Sequence, residues 1–184
     1  IRKESDSKLR YYMFKRLNTG GESLSEQELR NCTIRLLDNT LNHLISQLSQ
    51  DANFKICTKH LSDEKKKEKA DQEYILRFFA LKNDQSSYEH ELSDFLTEYL
   101  EKVAEKRLPF DYSNEEQRFR KTFALLAGSL GSEAFSSYSS RTKTPQKVAN
   151  FTSYQFEAFT IGLQSHLDRL QTTKETLNHL SQKI

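Results

Sequence analysis

The chain has 184 residues, a formal net charge of +2, 29% charged residues and a mean hydropathy of −0.79. This length fits one domain with a sizeable apolar core, and the near balance of charges gives by itself no argument for a nucleic-acid partner. No run approaches the roughly 20 apolar residues of a membrane span, and the N-terminus lacks the apolar core of a signal peptide. We therefore expect a cytoplasmic protein with no membrane partner.

The first predicted elements are a helix and a glycine turn. Residues 11–17 are apolar and basic, as at the end of a helix. Asn18, Gly20 and Gly21 follow, and these residue types tolerate the positive φ that closes a helix and turns the chain. Residues 1–24 are therefore predicted to form a helix and a turn.

The helix after the turn has the clearest start in the chain. Ser25 and Glu28 have the spacing of a capping box, in which each side chain accepts the backbone N–H of the other residue. An apolar stripe then continues at three- and four-residue spacing for about six turns. Its members are Leu29, Cys32, Leu36, Leu37, Leu41, Leu44, Ile45 and Leu48. We expect one long helix here, the first part of an all-α bundle of about six to eight helices over residues 25–170.

Two further helices are dense in apolar residues. Residues 74–81 contain six large apolar side chains, which predicts a central helix buried on more than one face. Arg77 lies inside it and needs a carboxylate partner, because an unpaired buried charge costs several kcal/mol; a ligand contact is the alternative. A second apolar stripe runs over residues 88–103. The charges of residues 59–71 nearly cancel in sign and indicate a solvated loop or helix entry, with a nucleic-acid patch as the alternative.

The last third of the chain is predicted as two helices around a loop. Asn114, followed by acidic residues, has the form of an N-cap, and the helix that it starts ends at Gly131. The serine-rich residues 132–144 are predicted to be a loop, since no run in the chain alternates apolar and polar residues as a strand does. A final helix is expected over residues 153–170. The polar tail 171–184 either frays or packs on a partner.

The residues offer little catalytic chemistry. Cys32 and Cys57 lack the Cys-x-x-Cys spacing and lie in apolar surroundings, which predicts buried free thiols rather than a disulfide or a reactive thiol. The five histidines are scattered, and no nucleotide-binding loop, nucleophile motif or zinc spacing is present. We expect no catalytic residue, no metal site and no cofactor within this segment.

The glycine turn allows two interpretations from the residues alone. A helix N-terminus attracts anions and offers backbone N–H groups to a phosphate. Glu26 and Glu28 already occupy this positive end, however, so a tight connection between helices is favoured. A basic surface beside the turn stays open as the second interpretation, because six cations lie in the first sixteen residues. They are Arg2, Lys3, Lys8, Arg10, Lys15 and Arg16.

One string of residues resembles a family signature. It reads Phe14-x-Arg16-Leu17-Asn18-Thr19-Gly20-Gly21-x-x-Leu24-Ser25-x-x-Glu28-Leu29-Arg30-Asn31. It is similar to the second half of a bacterial domain family whose ParB-like, sulfiredoxin-like first half carries an Asp-Gly-Gln-Gln-Arg motif. This family includes the S part of the GmrSD modification-dependent restriction enzymes. The similarity extends over residues 8–163 and is strongest at residues 14–31 and 74–81.

The resemblance implies a component of bacterial defence against foreign DNA, with a nucleotide-hydrolysing half and modified DNA as the target class. The chain contains no Asp-Gly-Gln-Gln-Arg and no His-Asn-His nuclease motif, so we expect the segment alone to be catalytically inactive. Arg16, Asn18, Gly20 and Gly21 are the residues carried over, as nucleotide- or phosphate-binding candidates that complete a site outside the segment. The cofactors implied for the parent protein are a nucleoside triphosphate and a divalent metal.

The expected partners follow from the same reasoning. The chain begins at Ile1, directly before an apparent helix, so we expect a preceding N-terminal domain as its first partner. DNA and a nuclease domain or subunit are the others that the resemblance implies, in a monomer or an oligomer. The alternative function is a non-catalytic helical module for protein interaction or assembly, in which the turn only joins two helices. An independent DNA-binding helical domain is weaker, since the basic residues do not cluster on one recognition helix.

Overall fold

The structure, a computed structural model, describes residues 13, 16, 24–35, 37–139 and 146–170. These ranges hold eight α-helices and one two-stranded sheet, which confirms the expected all-α multi-helix bundle. The helices are α1 (Glu26–Ile34), α2 (Thr40–Leu48), α3 (Ala52–Cys57), α4 (Asp63–Lys67), α5 (Ala70–Asp84), α6 (Leu92–Ala104), α7 (Tyr112–Ser129) and α8 (Ser153–Gly162). The strands are β1 (Ser136–Ser139) and β2 (Gln146–Phe151).

The chain divides into two compact units, of which the first comprises the described residues up to Gln47 together with residues 64–112. Here α5 packs against α6, and α1 contacts both helices. The prediction of a central apolar helix at residues 74–81 is confirmed, because seven of these eight residues are buried in α5. The aromatic rings of Phe78 and Phe79 meet edge to face at 5.3 Å, which is a favourable geometry for aromatic packing.

The predicted six-turn helix after the glycine turn is instead two helices. α1 ends at Ile34, and α2 begins at Thr40. Between them the Asp38 carboxylate accepts the Thr40 backbone N–H at 2.8 Å and the Thr40 hydroxyl as well. Such a bond from a short polar side chain to the nearby backbone competes with helical hydrogen bonding and favours a new helix start. The prediction of one continuous helix was therefore wrong, although the apolar stripe continues on both sides of the break.

The second unit comprises residues 48–63 and the described residues from Ser113 on. Its core is a cluster of six phenylalanine rings, whose neighbouring centroids lie 4.4 to 6.4 Å apart. They are Phe54, Phe119, Phe123, Phe135, Phe151 and Phe156. Asp51 caps α3, because its carboxylate accepts the N–H groups of Asn53 and Phe54, both at 3.0 Å. This cap fixes the helix that carries the first ring of the cluster.

The serine-rich residues 132–144, for which a loop was predicted, contain the strand β1, and β1 forms a β-hairpin with β2, which follows this segment. β1 and β2 pair antiparallel, and Tyr138 lies opposite Lys147 in the register. A bulge follows Ser136, whose partner in the register is Phe151. The strands have four and six residues, and their mostly polar sequences do not alternate, so no strand period was visible.

The base of the hairpin is fixed by aromatic packing. Phe135, directly before β1, meets Phe151 at the end of β2 with ring centroids 5.6 Å apart. The backbone N–H of Thr152 donates to the Phe135 carbonyl at 2.9 Å, and the Thr152 hydroxyl donates to the same oxygen at 3.0 Å. An isolated two-stranded hairpin is marginally stable in water, so these contacts with the Phe cluster stabilise it.

Two helix boundaries also differ from the predictions. α7 begins at Tyr112, so Asn114 lies inside its first turn and is not the N-cap. α8 ends at Gly162, and residues 163–170 continue as turns in which His166 N–H donates to the Leu163 carbonyl, three residues back. Within the described ranges, no helix combines the length and the apolar character needed to cross a membrane.

Candidate functional site

The signature residues from Leu24 to Asn31 lie in the described part of the chain, and they begin with a capping box. The Ser25 hydroxyl accepts the Glu28 backbone N–H at 3.3 Å, and the Glu28 carboxylate accepts the Ser25 N–H at 2.9 Å. The predicted capping box is thus present. The same Ser25 hydroxyl donates to the carbonyl of Glu68 at 2.6 Å. The start of α1 is therefore fixed both to its own first turn and to the end of the α4 region.

Arg30 is the most deeply buried charged residue of α1, with 1% of its surface exposed. All three guanidinium nitrogens donate hydrogen bonds. Nε donates to Thr97 Oγ1 at 3.1 Å, and Nη1 donates to Gln27 Oε1 at 3.0 Å and to Glu73 Oε2 at 3.1 Å. Nη2 donates to Ser93 Oγ at 2.9 Å, to the Ser93 carbonyl at 3.3 Å and to Glu26 Oε2 at 3.4 Å. Arg30 thereby joins α1 to α5 and to α6.

Glu73 on α5 is shared between two arginines. Its Oε2 accepts from Arg30, and its Oε1 accepts from Arg77 Nη2 at 2.8 Å. The Arg77 guanidinium also lies 4.8 Å from the centroid of the Tyr74 ring, within the range of a cation–π contact. The predicted structural ion pair of Arg77 is confirmed. Its position is accounted for by contacts within the first unit.

Asn31 completes the attachment of α1. Its side-chain amide donates to Gln72 Oε1 on α5 at 2.8 Å, and its side-chain oxygen accepts from Gln27 at 3.0 Å. Leu29, one residue earlier, is 3% exposed and belongs to the core. Glu28 therefore caps α1, and Leu29 belongs to the core. Arg30 forms the buried ion pair, and Asn31 is hydrogen-bonded to α5.

The candidate ligand-binding residues lie directly before this fixed helix in sequence. Arg16 is helical and its side chain is exposed, as a residue that contacts a phosphate must be. Asn18, Gly20 and Gly21 lie outside the described residues, so their role stays a prediction. Because the Arg30 donors all point to protein acceptors, Arg30 is not available to a ligand. In the described part of the signature, the side chain of Arg16 lies at the surface, whereas that of Arg30 is buried.

The two thiols differ in their surroundings. Cys57 is buried, and burial, with a smaller effect from the Asp51 charge, raises the pKa of its thiol to about 12. Cys57 therefore stays in the protonated, unreactive thiol form at neutral pH. Cys32 is exposed, so the prediction that both thiols are buried was wrong for this residue. Both cysteines are free of disulfides, as predicted.

An open polar cavity of about 450 Å³ lies along the start of α6, and four of its nine lining residues are acidic. The acidic residues are Glu89, Glu91, Asp94 and Glu98, with His90 among them. In the described ranges, no group of three or more His, Cys, Asp or Glu side chains is placed to hold a metal ion. A second cavity, beside Arg30, has about 10 Å³ and is no larger than one water molecule.

Arg30 is the important residue that reasoning from the sequence left without a role, although it stands within the signature. A signal was present. Gln27, Arg30 and Ile34 share one helix face at three- and four-residue spacing, and all three are buried. An arginine on the buried face of a helix, with Glu26 four residues before it, is typical of an internal ion pair.

The roles of the signature residues from Ser25 to Asn31 are derived from their contacts in the structure. The resemblance that the sequence suggests for residues 14–31 rests on residue types and spacing alone. No protein-family model, no curated protein and no solved structure matches the chain.

Proposed function

We propose that this chain is the helical part of a bacterial restriction-type defence protein, and that it acts with a nucleotide-hydrolysing ParB-like part on foreign or modified DNA. The proposal is carried by the signature residues 28–31, each of which has a distinct contact that fixes α1. A turn that must present Arg16 and Asn18 accurately to a phosphate needs a rigid base directly after it. α1 provides such a base, since it is held at its start by Ser25 and along its side by Arg30.

A second observation supports DNA as the partner. Residues 134–156, which include the β-hairpin, contain three cations and no Asp or Glu. Because the whole chain has a net charge of +2, the remaining residues together have a net charge of −1. The cations are Arg141, Lys143 and Lys147, and serine, threonine, tyrosine, asparagine and glutamine surround them in sequence. Cations and hydroxyl or amide donors are the groups that contact DNA phosphates, and the major groove admits a two-stranded β-ribbon.

The same contacts of α1 also fit a second candidate function, a non-catalytic module for interaction or assembly. Every signature residue from Glu28 to Asn31 is explained by packing, without a ligand. In that case the glycine turn serves only to bring two helices together. Substitution of Arg16 distinguishes the two candidate functions, because a turn that only connects two helices does not need the positive charge of Arg16.

The first experiment uses the protein expressed from its native gene and measures nucleotide binding and hydrolysis. Arg16→Ala is expected to weaken nucleotide binding by about tenfold to a hundredfold, which corresponds to one lost charge-assisted hydrogen bond. Arg35→Ala is the matched control, since Arg35 is exposed at the other end of α1. A native protein that lacks an Asp-Gly-Gln-Gln-Arg part and binds no nucleotide refutes the restriction function and leaves the interaction module.

The second experiment measures the affinity of the full chain for a labelled DNA duplex as a function of salt. Replacement of Arg141, Lys143 and Lys147 by alanine is expected to lower the slope of log K against log salt by about 2.7, because each phosphate contact contributes about 0.9. The control replaces three exposed cations of the same unit, Lys55, Lys59 and Arg169. An equal effect of both triple variants would show that only overall charge matters, and no binding by the wild type would exclude DNA as a partner of this chain.

A further inference from the structure

Tyr154, in the first turn of α8, presents an aromatic ring to solvent. Of the large apolar and aromatic side chains that the structure describes, it has the largest exposed fraction, 64%. The other exposed side chains of this class have 38 to 45%. A single exposed ring is common on protein surfaces, so the surroundings of Tyr154 decide what it can bind.

The backbone around Tyr154 is fixed on both sides. Two residues earlier, Thr152 donates from its N–H and from its hydroxyl to the Phe135 carbonyl, at 2.9 and 3.0 Å. Two residues later, Phe156 is fully buried in the Phe cluster. The exposed ring is therefore attached to a rigid base, which lowers the entropy cost of a contact with a ligand.

The charges near Tyr154 in sequence favour a nucleic-acid strand, with a base rather than a phosphate at the ring. Residues 134–156 contain three cations and no Asp or Glu. Lys147 is seven residues before Tyr154, so the two Cα atoms lie within about 25 Å of each other. This is at most about seven stacked nucleotides of one strand. Glu157 follows Tyr154 by three residues on the same helix face, and its negative charge disfavours a phosphate there. An uncharged base is the part of the strand that fits.

We propose that the ring of Tyr154 stacks on an unpaired base of the DNA strand that the cations of residues 134–156 contact. This surface then prefers DNA with a single-stranded segment over a continuous duplex, in which neighbouring bases cover both faces of each base. The inference rests on the DNA contact of the proposed function and adds the kind of DNA that is bound. Stacking of one base on an aromatic side chain corresponds to an affinity gain of about fivefold to 150-fold, and it tolerates any base.

The test compares two labelled DNAs with the same number of phosphates, a continuous duplex and a shorter duplex that ends in a single-stranded segment. Fluorescence anisotropy with the full chain is expected to show at least about fivefold tighter binding of the second DNA. Tyr154→Phe keeps the ring and should keep this preference. Tyr154→Leu removes the ring and should abolish the preference, with the affinity for the duplex unchanged. Tyr88→Leu is the matched control, since Tyr88 is an exposed tyrosine of the first unit, and it should keep the preference.

A second readout uses the absence of tryptophan from the chain. Tyr154→Trp keeps an aromatic ring and provides a single fluorescent reporter at the proposed contact. Its emission is expected to be quenched by the DNA with the single-stranded segment and to stay unchanged with the duplex. Unchanged emission while anisotropy shows this DNA to be bound would overturn the inference.

The other outcomes separate this inference from the proposed function. Equal losses in Tyr154→Phe and Tyr154→Leu would overturn stacking, because the hydroxyl then makes the contact. Equal affinity of the wild type for both DNAs would also overturn it, and the duplex binding of the proposed function would stand. No binding of either DNA would refute the DNA contact itself, and the inference with it.

Discussion

Replacement of Arg30 by methionine tests the central contact of the first unit. Methionine keeps an unbranched apolar side chain of comparable volume, but it is shorter than arginine and removes the positive charge and all the hydrogen-bond donors. The partners that lose a donor are the carboxylates of Glu73 and Glu26, the side chains of Gln27 and Thr97, and the oxygens of Ser93. Since Arg30 is 1% exposed, water cannot replace these bonds without opening the unit.

The expected loss of unfolding free energy follows from the carboxylate that loses its buried cationic partner. Removal of one partner from a buried ion pair costs about 3 to 5 kcal/mol, because the other charge remains buried without compensation. Glu73 is 23% exposed and keeps its bond to Arg77 at 2.8 Å, which places the expected loss near the lower end, about 3 kcal/mol. With a urea m-value of about 2 kcal/mol/M, the unfolding midpoint falls by about 1.5 M.

Urea unfolding followed by circular dichroism at the helix signal measures this loss. Arg35→Met is the control, since Arg35 is exposed at the end of the same helix and is expected to change stability by less than about 0.5 kcal/mol. The double variant with Glu73→Gln should lose less than the sum of the two single losses, by about 1 to 3 kcal/mol. An Arg30→Met protein as stable as the wild type, or more stable, would refute the reasoning, as some buried ion pairs are replaced by apolar residues without loss.

Two further predictions concern the start of α1 and the thiols. Ser25→Ala should lower the free energy of unfolding by about 1 kcal/mol, whereas Glu28→Gln should be nearly neutral, because glutamine also serves in a capping box; equal losses in urea unfolding would contradict this. A thiol reagent such as dithionitrobenzoate should modify Cys32 rapidly and Cys57 only after unfolding, since Cys57 is buried with its thiol pKa raised to about 12. A fast phase that persists in Cys32→Ser would show that Cys57 is accessible.

Local patterns predicted those parts of the fold that depend on neighbouring residues. The density of apolar residues at positions 74–81 predicted α5, and the spacing of Ser25 and Glu28 predicted the cap of α1. Both signals depend on residues within two turns of one helix, where sequence spacing and spatial spacing coincide. The ion pair of Arg77 with Glu73 is of the same kind, since the two residues are four apart in α5.

The break between α1 and α2 could not be predicted in this way. Leu37 and Leu41 keep the helical spacing across it, so the apolar pattern indicates one continuous helix. The break depends on whether the Asp38 carboxylate accepts the Thr40 N–H or faces solvent, and the same residue type serves in both situations. The carboxylate is charged in this role, and hydrogen bonds from Thr40 hold the pKa of Asp38 below its ordinary value.

The hairpin and the Arg30 contacts escaped prediction because their partners are distant in sequence. The ring of Phe135 meets that of Phe151 sixteen residues later, and the strands between them have no alternating pattern to mark them. Arg30 finds Glu73, Ser93 and Thr97 at separations of 43 to 67 residues. Whether an arginine of the signature binds a ligand or stabilises the fold depends on such contacts with residues that are distant in sequence.

The two arginines of the signature therefore have different expected phenotypes. Arg30 is buried and all its donors are directed to protein acceptors, so its replacement should lower stability whatever the protein binds. Arg16 is exposed, so its replacement should leave stability nearly unchanged. A loss of nucleotide or DNA binding in Arg16→Ala, at unchanged stability, is therefore a result that only a ligand site at the turn explains. If both variants affect only stability, the turn is a connection between helices, and the interaction module becomes the better account of this chain.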